Sequence, residues 1–274
     1  MLRATVLTCA LLGLLGTLGL TERANAQPAR LSATEVVDKN IAARGGLAKW
    51  RGVRTMSWSG KLEAGGGTDP RALGIPGLPK PRSADPTAQV QLPFVLEMER
   101  PRKTRLEIEF AGETAVQVFD GAQGWKLRPF LNRLEAESYT AAELQATETQ
   151  ADLDGALVDY AAKGTRVELE GVEQIEGKDA YRLKLTLQNG RVVHEWIDAQ
   201  SFLEVKIEGT PRKLDGKPHD VAVFLRDYRN VNGLMIAHQL ETVVEGVART
   251  EKIQIENVVV NPRLDESRFA KPTT

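Results

Sequence analysis

The chain has 274 residues, with 36 Lys and Arg against 37 Asp and Glu, a formal net charge of −1, and one cysteine. That balance excludes the basic surface a nucleic-acid binder needs to neutralise phosphates. One cysteine excludes a disulfide scaffold or a thiolate metal centre, and three histidines leave little for acid–base or metal chemistry.

The N-terminus reads as an export signal. Met1-Leu2-Arg3 is a short basic start, Ala4 to Leu20 is uncharged and mostly apolar, and Ala24-Asn25-Ala26 is a small-x-small cleavage site. Those are the three parts of a secretory signal peptide. Residues 1–26 are therefore expected to be removed, leaving 27–274 as a single exported domain. Cys9 leaves with the leader, and Thr8 beside it argues against lipid attachment there. No later apolar run approaches the ~18 residues of a membrane-spanning helix, so no stable membrane span is expected.

Ser32 with Glu35 has capping-box spacing, and Val36, Val37 and Ile41 form one apolar stripe that Gly45-Gly46 ends. A short amphipathic helix follows from this, with Leu47 to Arg51 adding a turn. From Thr55 the period changes to two: Met56, Trp58, Gly60 and Leu62 face one way, Ser57, Ser59 and Lys61 the other. Residues 64–88 break it with Gly65 to Gly67, Gly74, Gly77 and five prolines, which predicts a flexible insertion. Its Leu73, Ile75 and Leu78 leave open whether it is an idle hairpin insertion or a flap over a binding surface. Alternation resumes with Leu92, Phe94, Leu96 and Met98, then Leu106, Ile108 and Phe110. A strand over 114–119 turns at Asp120-Gly121 and returns through Trp125.

Thr140 and Glu143 mark a second helical zone over 138–163, which Asp152, Asp154 and Gly155 are expected to split into two helices. After Gly164 seven further strands follow, separated by Gly- and Asn-containing turns. The total is about eleven or twelve antiparallel strands against two or three short helices, an α+β but mostly β chain. A sheet of that size curls, and so few helices cannot fill its concave side, so an apolar cavity is expected.

The helix ending in Gly45-Gly46, the Trp58 strand, Met98-Glu99-Arg100-Pro101 and Phe119-Asp120-Gly121-Ala122-Gln123-Gly124-Trp125 together resemble the LolA-like superfamily of periplasmic outer-membrane lipoprotein-sorting proteins. Gly177-Lys178-Asp179-Ala180-Tyr181-Arg182-Leu183 and Asp227-Tyr228-Arg229-Asn230-Val231-Asn232-Gly233 fit the same group, so the likeness runs over roughly residues 32–270. It implies an unclosed antiparallel barrel of about eleven strands, with helices on the concave side over an apolar concavity that receives acyl chains. The 64–88 insertion and the long β half after residue 164 depart from the compact carrier.

Candidate chemistry is sparse. His194, His219 and His238 lie on separate β segments without a second ligand at metal spacing, and no Gly-x-Ser-x-Gly occurs. Glu97, Glu99, Glu107 and Glu109 beside Arg100, Arg102, Lys103 and Arg105 read more simply as cross-strand ion pairs than as a hydrolytic carboxylate pair. No catalytic residue, cofactor or metal is expected. Met56, Trp58, Phe94, Leu96, Met98, Leu106, Ile108, Phe110 and Trp125 are the expected apolar lining. The 7 Phe, 4 Trp and 4 Tyr are few, which suits aliphatic chains better than stacked rings. The expected function is a non-enzymatic carrier of lipid or lipoprotein acyl chains. The second reading is an envelope-stress sensor or scaffold that offers the same half-barrel to a protein partner.

Overall fold

The computed structural model describes residues 31–65, 89–214 and 216–273. The expected signal peptide and the body of the 64–88 insertion lie outside them. Ser32 caps α1 (Ala33–Ala43) through a capping box with Glu35, and Val36, Val37 and Ile41 are buried. The helix ends where Gly45 and Gly46 take φ of 114° and 94°, a left-handed turn that side chains resist. Gly45 also sits against the backbone of Gly233, where no Cβ would fit. A second short helix, α2 (Leu47–Gly52), buries Trp50.

Thirteen strands then form one antiparallel sheet. In chain order they begin β1 (Thr55–Gly65), β2 (Gln89–Glu99), β3 (Lys103–Phe110), β4 (Glu113–Phe119), β5 (Gly124–Arg128) and β6 (Arg133–Ser138). After helix α3 (Ala141–Gln150) come β7 (Arg166–Ile175), β8 (Lys178–Thr186), β9 (Val192–Asp198) and β10 (Glu204–Glu208). A separate two-stranded hairpin, β11 (Arg212–Leu214) and β12 (Lys217–His219), precedes β13 (Val221–Val231), β14 (Leu234–Val244) and β15 (Glu251–Val260). Spatial order is β6-β5-β4-β3-β2-β1-β15-β14-β13-β10-β9-β8-β7. Within each half strands pair in chain order, β10 passing to β13 across the separate hairpin, and β15 returns to β1 to join the two halves. Strands β6 and β7 remain as edges, so the sheet is an unclosed half-barrel.

Two sequence expectations change. Strand β6 goes beyond the sequence count because Arg133, Leu134 and Glu135 are all exposed, so this edge strand has no alternating apolar face to read. The second helical zone contains one α-helix, not two. Thr140 caps α3 with Glu143, but residues 153–164 form successive turns. Asp159 at φ 52° and Gly155 at φ 79° interrupt any helical ladder there. That segment still buries Leu153, Leu157 and Val158.

The two faces of the sheet differ. On the inner face, α3 reaches over β5 through Glu143 to Lys126 at 2.5 Å. On the outer face, the C-terminal segment seats Phe269 and Leu264 against Val116, Val118, Trp125 and Leu127. Arg268 adds ion pairs to Glu97 and, at 3.0 Å, to Glu107. Lys103 pairs with Glu99 at 2.8 Å and Arg105 with Glu107 at 2.6 Å. Glu97, Glu99 and Glu107 are therefore held in ion pairs, whereas Arg100 turns to Asp154 instead.

Candidate functional site

Strand register places eight of the nine expected lining residues on one face. Met56 pairs with Met98, and Trp58 lies beside Leu96, which in turn lies beside Leu106. Phe94 pairs with Ile108, and Phe110 stands two residues further along the same side of β3. Met56, Phe94, Met98 and Ile108 are buried. Trp58, Leu96, Leu106 and Phe110 keep partial solvent contact. Phe110 meets Phe130 edge to face at 5.8 Å between ring centres.

Trp125 belongs to the other face. It pairs with Val118, whose neighbour across β3 is Arg105 on the ionic side, and it packs against Leu264 and Phe269 of the C-terminal segment. What stands over the inner face of β5 is instead Tyr139, whose ring lies where a Cβ on Gly124 would be.

The apolar inner face continues through the second half. Leu62 pairs with Ile253, Ile253 with Leu240, and Leu240 with Leu225. Ile253, Leu240 and Leu225 are all partly exposed. Two residues along β13, on the same face, a row runs Thr242, Val223, Ile207, Glu195, Leu183, Leu169 across six strands. Glu195 is the one charged residue type in that row. Burial and the nearby Glu204 carboxylate push its carboxyl up to about 8, against the opposing pull of Arg44 and Lys163.

Those neighbours belong to a polar group beside the inner face. Arg44, at the end of α1, pairs with Glu204 at 3.0 Å, both largely buried, and its guanidinium lies 4.5 Å from the Trp50 ring centre. Tyr228 donates to the Glu204 backbone oxygen at 2.9 Å and its carboxylate at 3.2 Å; burial and that carboxylate raise the phenol well above its usual value. Lys163 binds Asp154 at 2.6 Å, and Arg100 binds the same carboxylate at 2.7 Å. Glu195 itself makes no hydrogen bond or ion pair among the described residues. On the same inner face Trp58 Nε1–H is buried and has no acceptor, a state that costs about 1–3 kcal/mol.

The histidines are dispersed. His194 lies on the outer face with Nδ1 2.5 Å from Glu208, His219 contacts the Glu245 carbonyl oxygen, and buried His238 contacts that of Ile236. Among the described residues, no three His, Cys, Asp or Glu side chains are grouped to hold a metal ion. No helix among them is long and apolar enough to cross a membrane.

No protein-family model and no curated protein matches the sequence. Solved structures do match its shape. A LolA superfamily protein from Nitrosomonas europaea superposes with a TM-score of 0.54 at 15% identity, over 88% of this chain and 98% of that one. A candidate outer membrane lipoprotein-sorting protein domain from Vibrio parahaemolyticus gives 0.52 at 11% identity, over 87% and 96%. The fold is LolA-like. A DUF1329 family protein from Desulfovibrio piger shares it, with a TM-score of 0.56 at 13% identity over 87% of this chain and 97% of that one. At such identities the likeness is one of architecture, and function has to be argued from the inner face of the LolA-like sheet.

Glu195 and the Arg44–Glu204–Tyr228 group are absent from the sequence reading. A signal for Glu195 exists: strict alternation in Val193-His194-Glu195-Trp196-Ile197 sets it between two apolar residues. Arg44, Glu204 and Tyr228 come together only through tertiary packing.

Proposed function

We propose that the protein is a cell-envelope carrier that receives acyl chains of a lipid or lipoprotein against its inner face. The observation that carries this reading is the set of three registered rows in which Trp58, Leu96 and Leu106 keep solvent contact while Met56 and Met98 on one side of them and Phe94 and Ile108 on the other are buried. A stripe of this kind gains about 0.8 kcal/mol for each methylene it buries, which suits a flexible aliphatic chain. The LolA-like fold supports it, since one of the similar structures is a candidate lipoprotein-sorting domain. The same likeness supports a periplasmic location and a binding role rather than a catalytic one. Entry of a chain would require α1, α3 and the turn segment after it to shift, because these elements stand on the inner face.

The test is direct. Protein purified from its native envelope should carry lipid detectable by mass spectrometry, and the delipidated protein should take up a fluorescent fatty-acyl probe. Absence of both would overturn the carrier reading. Co-purification with an envelope protein in the absence of lipid would favour a scaffold instead.

A further inference from the structure

We propose that Glu195 is the polar anchor of the inner face, a carboxyl group that donates a hydrogen bond to the carbonyl or hydroxyl oxygen of a bound amphiphile. The inference rests on the carrier reading and adds the part of the ligand that reading leaves unspecified. Its basis is placement. Glu195 projects from β9 in a row whose other members are Thr242, Val223, Ile207, Leu183 and Leu169, and Leu183 beside it is fully buried. Glu195 itself is only partly buried.

An acid placed there ordinarily finds a partner, because an unpaired buried polar group is costly. This one has none, although cations are near. Arg44, from α1, is already bound to Glu204 on β10. Lys163, from the turn segment, is bound to Asp154, Asp152 and the Gly155 carbonyl oxygen. Tyr228, from β13, donates to Glu204. The groups facing Glu195 are thus satisfied among themselves, and the Glu204 carboxylate repels a second negative charge. With a pKa of about 8 the group keeps its proton at neutral pH. A protonated carboxyl has one strong donor to offer. Ester and hydroxyl oxygens are the acceptors that accompany aliphatic chains in amphiphiles, so an acyl ester fits the apolar row and the donor together.

The experiment compares two ligands of equal chain length, palmitate methyl ester and the corresponding alkane, by displacement of a bound fluorescent fatty-acyl reporter. Measurements are made at about pH 6 and about pH 9.5, either side of the Glu195 value of about 8. The ester-to-alkane affinity ratio of the wild type should fall by about five- to tenfold at the higher pH, the worth of one hydrogen bond. In Glu195→Gln, whose amide N–H₂ still donates, the ratio should stay near its low-pH value at both. In Glu195→Leu it should be low at both. If the reporter binds but the wild-type ratio does not change with pH, the anchor is overturned while the carrier stands. If the reporter itself does not bind, the carrier reading fails. Tighter binding of a cationic amphiphile than of the ester at low pH would also overturn the proposal. Should a variant not fold, the wild-type pH dependence decides alone.

Discussion

At the scale of single residues, the inner face holds charge in two ways. Arg44 and Glu204 are paired, nearly dry and reinforced by Tyr228. Removing one member strands the other, so Arg44→Met should destabilise the fold by about 3 kcal/mol or more, measured by chemical denaturation; a loss below about 1 kcal/mol would show that water reaches Glu204 freely. Glu195 has no such partner, and its effect on stability has the opposite dependence on pH from a paired carboxylate. Its folded value of about 8 lies above the ordinary 4.5. Between those values the unfolded chain has released a proton that the folded chain keeps, so stability falls as pH rises through this window and levels off above it. The slope is bounded by about 1.4 kcal/mol per pH unit. Glu195→Gln should lack this component and melt at a higher temperature than wild type above about pH 8. Identical pH profiles of thermal unfolding would refute it. Glu173, held below its usual value by the hydrogen bond from Trp196, and Asp198, where burial pushes up but the hydrogen bonds from Ser201 and Gln200 outweigh it, contribute the reverse: stability present at neutral pH and lost as pH falls through their depressed values.

At the scale of elements, the half-barrel depends on close approaches that only glycine permits. A Cβ at Gly124 would meet the ring of Tyr139, while one at Gly60, at the β1 bulge, would meet the Gln254 carbonyl oxygen. A side chain can move and a paired backbone cannot. Gly124→Ala should therefore cost about 1–3 kcal/mol and be relieved by Tyr139→Ala, whereas Gly60→Ala should cost more and find no single suppressor. Equal costs in denaturation melts would contradict that contrast. Helix α3 depends on its cap, and Thr140→Ala should remove about 1 kcal/mol, seen as faster amide exchange over 141–147. The unclosed sheet also leaves two edges that could recruit further strands. Edge strand β6 carries Arg133, Glu135 and Glu137; β7 carries Arg166, Glu168, Glu170 and Glu173 and a register shift between Leu169 and Gly171. Charge and bulge together make these edges poorer templates for a further strand.

At the scale of the whole molecule, the described residues form a thirteen-stranded sheet with three α-helices, and Trp58, Leu96, Leu106, Leu225, Leu240 and Ile253 on its inner face keep solvent contact. The two faces are specialised accordingly. On the outer face the C-terminal segment covers β4 and β5, and Trp196 lies between the cations of Arg182 and Lys206. The inner face remains apolar and partly open. A charge on the open row should abolish ligand uptake, so Leu96→Glu should lose acyl-probe binding. Val259→Glu, on the exposed outer side of β15, should keep it. Loss in both, with both folded by circular dichroism, would place the binding surface elsewhere.

The alternation of Met56 to Leu62, of Leu92 to Met98 and of Leu106 to Phe110 was enough by itself to define strands, their inner face and a mostly β architecture. Side-chain period in a strand is local, so it is legible without knowing the partner. The capping boxes at Ser32 and Thr140 were legible for the same reason, since each acts within four residues. Tertiary structure decided the rest. Trp125 looks like lining in the sequence, but two faces that both carry apolar side chains cannot be told apart until Phe269, more than a hundred residues away, covers one of them. Strand β6 forms because an edge hydrogen-bonds to β5 whatever its side chains are. The Arg44–Glu204–Tyr228 group and the isolation of Glu195 depend on which charges are consumed by neighbours, a property of packing that no local pattern encodes.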